Sequence, residues 1–293
     1  MPTYTIVEAP SHLGLCAVGV EGLAEALLAV GLAERLGARR GERLSAPAFD
    51  PRIDPETGML NPGGLRDYAF RLADAVGAVL DDGAFPIVLG GDCSILLGNM
   101  LALRRHGRYG LLFLDGHADF YQPEAEPTGE AASMELALVT GRGPEIVTNL
   151  DGRRPLVRDE DTVVFGFRDA ELAAAEGSQP LAPTLRAIDL RVVRERGIER
   201  AMRDALAHLE RKDGPAGFWI HLDVDVLDDA IMPAVDYRLP DGLSWDELTA
   251  VLRGAVASDH AVGLEITIFN PTLDPDGRIA LALVDALVAG LSP

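Results

Sequence analysis

An α/β fold is predicted by two features of the sequence: short apolar runs alternate with longer amphipathic stretches, and three of those runs end in Asp, His or Cys. Runs at 4–7, 85–89, 111–114, 162–167, 218–222 and 262–266 read as strands. Most are apolar at every position, as parallel strands covered on both faces require. The stretches 21–36, 65–80, 95–105, 192–210, 245–256 and 278–291 repeat apolar residues at helical spacing. No linker, internal repeat or low-complexity segment interrupts the alternation, so 1–293 reads as a single domain.

The 293 residues are 48% hydrophobic, enough for a packed core and too apolar for a disordered or fibrous chain. Asp and Glu outnumber Lys and Arg by 46 to 26, a net charge of -20. Nucleic acid and anionic membrane surfaces would repel such a chain, and a solvated acidic surface is the simplest account of the excess. Lys212 is the sole lysine and lies in the polar run 210–213, which argues against a Schiff-base, pyridoxal-phosphate or phosphate-loop lysine. Cys16 and Cys93 are far apart, the start has no basic-then-apolar leader, and no apolar run is long enough to span a bilayer. The expected setting is reducing and cytoplasmic.

Ligands of open parallel sheets bind at the carboxyl ends of strands, which is where the polar residues gather. The run 86–94 ends in Gly90-Gly91-Asp92-Cys93-Ser94, the run 111–119 in Asp115-Gly116-His117-Ala118-Asp119, and the run 220–229 contains Asp223-Val224-Asp225. An extended chain would put Asp115, His117 and Asp119 on one face, and likewise Asp223 and Asp225. Taken singly, each piece reads equally as a turn or helix cap. Together, four carboxylates at the end of a hydrophobic sheet are costly unless cations offset them, and two divalent ions do so. Cys93 is either a ligand or a packed thiol, and Asp92 either orients a ligand or caps the helix starting near Ser94. His221, two residues before Asp223, shares its face at greater depth, as a core histidine, a ligand's partner or a proton relay. Glu265, after an apolar strand, calls for a cationic partner. Arg168 reads as pairing with Asp169 or Glu171.

These motifs resemble the signatures of the ureohydrolases, the family of arginase, agmatinase and formimidoylglutamase. Ala9-Pro10, Gly19-Val20-Glu21, Gly166-Phe167-Arg168-Asp169 and Glu265 extend the likeness over most of the chain. The resemblance implies a three-layer α/β/α sandwich with a mainly parallel sheet. It also implies two manganese ions bridged by a hydroxide that attacks a small cationic guanidine or amidine, and a trimer or hexamer. By that likeness Cys93, Asp115, His117, Asp119, Asp223 and Asp225 hold the metals, Asp115, Asp119 and Asp223 bridging or holding both. Glu265 would hold the amidine nitrogens, and Asp119 or a bridging water would protonate the leaving amine. Tyr121, Thr128, Glu130 and Glu171 fall at substrate-facing positions.

The pattern also departs from the family. Cys93 replaces a metal-binding histidine, as in the hydroxyarginine amidinohydrolase branch, and a thiolate suits ions softer than manganese. Ala132 stands where many arginases carry a proton-relaying histidine. Tyr121 and Glu130 replace asparagines, and Asp229 replaces a proline. Glu130 either repels a substrate α-carboxylate or opens a helix over 134–139 while pointing into solvent. The rival functions are a fold-retaining metal-binding homologue without turnover and a metal-dependent deacylase.

Overall fold

The computed structural model describes residues 3–292. Its centre is a sheet of eight parallel strands: β1 (Tyr4–Glu8), β2 (Arg39–Arg43), β3 (Phe85–Leu89), β4 (Gly110–Leu114), β5 (Thr162–Phe165), β6 (Arg186–Ile188), β7 (Phe218–Asp223) and β8 (Ala261–Thr267). They lie in the order β2-β1-β3-β8-β7-β4-β5-β6. The six expected strands are all present. The two that the apolar pattern does not reveal, β2 and β6, are the edges: β2 reads Arg-Arg-Gly-Glu-Arg and is exposed throughout. Charge on an edge strand discourages pairing with another chain, and it also erases the hydrophobic signal.

Side chains alternate across the sheet. Leu112 and Leu114 enter one core, with the helices Leu23–Ala29, Ile198–Leu209, Trp245–Ala257 and Arg278–Leu291. Leu111 and Phe113 enter the other, with Pro62–Asp81, Leu96–His106 and Glu135–Val139. The result is the three-layer sandwich the resemblance implies. Two expected helices are divided by glycines in the left-handed region: Gly31 (φ 89°) breaks 21–36, and Gly197 (φ 79°) breaks 192–210. Among the described residues no helix is long and apolar enough to cross a membrane.

Two features of the topology make the site. The chain leaves β3 and enters β4, yet β8 and β7 lie between them, so the carboxyl ends of these four strands stand side by side at a switch in winding. Register then aligns rows of residues: Val88 pairs with Glu265, Glu265 with His221, and His221 with Phe113. Two residues on, and so on the same face, Asp223 pairs with Thr267.

Candidate metal centre

The turn out of β3 is held so closely that a side chain at Gly91 would meet the Ser11 carbonyl oxygen at 1.8 Å. Asp92 is fully buried and caps the short turn Cys93–Ile95. One of its oxygens accepts from the Ser94 amide (2.9 Å), the other from the Ser11 hydroxyl (3.2 Å) and the Gly14 amide (3.3 Å). These contacts favour the capping reading over ligand orientation. The turn delivers Cys93, 1% exposed, with its Sγ donating to Asp223 Oδ2 at 2.8 Å and lying 3.0 Å from Thr267 Oγ1.

Residues 115–119 do not continue β4 as an extended chain, which corrects the expectation of alternation there. They form a tight loop in which the His117 amide donates to Asp115 Oδ1 (2.7 Å) and Asp119 adopts φ 41°. The side chains converge by this folding rather than by strand alternation. The Gly116 amide donates to Asp225 Oδ1 (3.0 Å), and His117 Nδ1 lies 2.9 Å from Asp225 Oδ2. The Asp225 amide in turn donates to Asp223 Oδ1 (2.7 Å).

All six expected ligands therefore meet at the strand ends, and two further residues join them. Cys93, Asp115, His221 and Asp223 each offer an atom within 4.8 Å of the others'. The same holds for Asp115, His117 and Asp225, and for Asp115, Asp119 and Glu135. In the sequence Glu135 reads only as the start of a short apolar helix. An unexplained carboxylate inside that apolar run was the available signal.

The donors fit divalent cations on evidence internal to the molecule. Asp115 Oδ2, His221 Nε2 and both Glu135 oxygens are buried without a hydrogen-bond partner. Such groups are costly to leave unmatched, and carboxylate, imidazole and thiolate donors suit a metal. Burial, reinforced by neighbouring carboxylates, pushes the Cys93 thiol and the Asp119, Asp223 and Glu135 carboxyls well above their ordinary ranges. For His221, burial works toward a lower pKa, but the nearby Asp115 and Glu265 carboxylates outweigh it and push the imidazole up to about 9.

Glu265 does not reach the mouth of the centre. β8 extends to Thr267, so Glu265 lies inside the strand, fully buried, with Oε1 2.7 Å from His221 Nδ1 and Oε2 accepting from the Asn99 amide. Its partners are the His221 imidazole and Asn99 of this chain, so its carboxylate is turned away from the mouth where a substrate amidine would lie. The candidate substrate residues also have partners of their own. The Tyr121 hydroxyl donates to Glu176 (2.7 Å) and the exposed Thr128 hydroxyl to Glu126. Glu171 is exposed in the first turn of Ala170–Glu176. Glu130, 1% exposed, accepts from the Cys16 amide (2.6 Å) and the Tyr237 hydroxyl (2.7 Å). It makes no capping bond to the turn that follows and does not point into solvent, so the helix-opening reading of Glu130 is overturned. Arg168 pairs with neither Asp169 nor Glu171. Its guanidinium donates to the carbonyls of Asp225, Leu227, Leu239 and Pro240 at 2.9–3.1 Å, bracing the loop behind the third motif.

A family model described as the arginase family matches residues 60–291. The chain belongs to the arginase family. It is 31% identical over 221 residues to an arginase of Brevibacillus brevis, a match covering 74% of this chain and 73% of that protein. With an arginase of Bacillus caldovelox it shares 28% identity over 98% of both chains. In fold it matches the solved Bacillus caldovelox arginase with a TM-score of 0.89 at 24% identity, covering 100% of this chain and 99% of that one. A proclavaminate amidino hydrolase from Streptomyces clavuligerus has a TM-score of 0.70 at 17% identity over 99% and 90%.

Proposed function

We propose that this arginase-family chain hydrolyses a C–N bond of a small cationic guanidine or amidine, releasing urea or a related amide. The observation that carries the reading is the meeting of Cys93, Asp115, His117, Asp119, Asp223 and Asp225 at adjoining strand ends, with buried donor atoms left unmatched. These residues would hold two divalent ions, which when bound supply an ionised water at neutral pH and polarise the reacting carbon.

The chain's own groups account for the remaining needs of the reaction. His117 is the partly exposed member of the cluster, so the substrate enters on its side. The acidic surroundings favour a cationic substrate there. The leaving nitrogen needs a proton, which Ala132 has no group to supply. Asp119, 7% exposed, lies beside Glu135, whose oxygens are free of other partners. Glu135 would supply the proton that Asp119 hands to the departing amine.

The test is urea release from a panel of arginine, hydroxyarginine, agmatine and shorter guanidino compounds, with manganese added. Turnover of at least one compound, abolished by Asp223→Asn, is the expected result. A metal-loaded protein that releases no urea or amide from any of them would leave a fold-retaining homologue as the better account.

A further inference from the structure

We propose that the two metal positions are chemically unlike: Cys93 Sγ, His221 Nε2, Asp115 and Asp223 form a closed four-ligand position that selects zinc over manganese, while the position beside His117, Asp115 and Asp225 stays open toward substrate. The proposal rests on the reading of the strand ends as a metal centre and assigns each position its chemistry.

Three observations carry it. Cys93, Asp115, His221 and Asp223 are no more than 2% exposed, and their donor atoms lie within 4.8 Å of one another. Second, His221 is aimed. Its ring stacks on Phe113 at 4.5 Å with 13° between planes, its Nδ1 is held by Glu265 at 2.7 Å, and Glu265 is held by Asn99. A histidine whose Nδ1–H is taken by a carboxylate presents the Nε2 lone pair to a metal, and here Nε2 has no hydrogen-bond partner and lies 3.6 Å from Asp115 Oδ2. Third, one thiolate, one imidazole and two carboxylates are a set preferred by zinc, which fills four positions and accepts sulfur readily. The other position differs on each count: it has no sulfur, and His117 keeps 18% of its side chain in solvent.

Register explains why both features occur together. The row Val88-Glu265-His221-Phe113 lies two residues below the row containing Thr267 and Asp223, so the imidazole supports the metal from beneath and on the same face. The competing account is a core imidazolium that simply neutralises Asp115 and Glu265.

The experiment loads metal-free protein with cobalt(II), then challenges it with zinc or with manganese. Expected for the unmodified chain are a thiolate-to-cobalt charge-transfer band and the intense visible bands of four-coordinate cobalt, both removed by stoichiometric zinc and neither by excess manganese. Cys93→Ser should remove the charge-transfer band. His221→Gln should keep that band and lose the four-coordinate intensity, and Glu265→Gln should lower zinc affinity roughly 10- to 100-fold. Weak, six-coordinate bands in the unmodified chain overturn the proposal whatever the variants do, as does a folded His221→Gln variant with an unchanged spectrum. If cobalt binds at two sites per chain with no sulfur band, the binuclear reading survives and this assignment fails. If no cobalt binds, both fail.

Discussion

Cys93 lies 2.8 Å from Asp223 and is buried with it among further carboxylates, so neither group ionises freely without a cation. A group whose pKa is raised in the metal-free protein holds its proton at neutral pH, and a metal must displace that proton to bind. Metal affinity should therefore rise with pH through the neutral range, with protons released on binding. Calorimetric titration with manganese or zinc in buffers of different ionisation enthalpy reads this directly; binding heats that are the same in every buffer would show that the ligands were already deprotonated. Glu135 gives a second prediction. If it carries the leaving-group proton, Glu135→Gln lowers kcat on the order of 100-fold and leaves two ions bound. Loss of one ion from that variant, measured by elemental analysis, would make Glu135 a ligand instead.

The elements set which residues meet, and glycines at their ends set how tightly. A methyl group at Gly91 collides with the Ser11 carbonyl, whereas one at Gly63, in the first turn of Pro62–Asp81, meets nothing within 4 Å. Gly91→Ala should cost on the order of 2 kcal/mol or more and weaken metal binding, because the turn that places Cys93 must shift. Gly63→Ala should be neutral or stabilise by roughly 0.5 kcal/mol. Denaturant unfolding midpoints compare the two; equal midpoints would mean the β3 turn yields at little cost. This turn was legible in the sequence, because paired glycines between an apolar run and an Asp-Cys pair have few other uses. Less legible were positions fixed by long-range pairing. The charged edge strand β2 carries no apolar pattern, and nothing local to Glu265 shows that β8 runs on to Thr267. His221 could be put on the face of Asp223 from spacing alone. Its Glu265 and Phe113 partners follow only from which strands lie beside β7. The loop 115–119 is not the extended chain its sequence suggests, yet its donors converge by a different path.

At the scale of the whole molecule the net charge of -20 acts on encounter more than on fold. A cationic guanidine is drawn toward an acidic protein, and the attraction is screened beyond about 8 Å at physiological ionic strength. We expect kcat/KM for a cationic substrate to fall as salt rises, and kcat to change little. A salt series in steady-state kinetics checks this; a kcat/KM independent of salt would mean that only contacts inside the site matter. The strands, their order and the two cores have one functional consequence, which is to bring donors remote in sequence to a single place. The measurement that tests this most directly is anomalous diffraction from crystals loaded with metal. Two peaks per chain within bonding distance of Cys93, Asp115, His117, Asp119, Asp223 and Asp225 are predicted. A loaded crystal with one peak or none, and these aspartates turned to bulk water, would contradict the account.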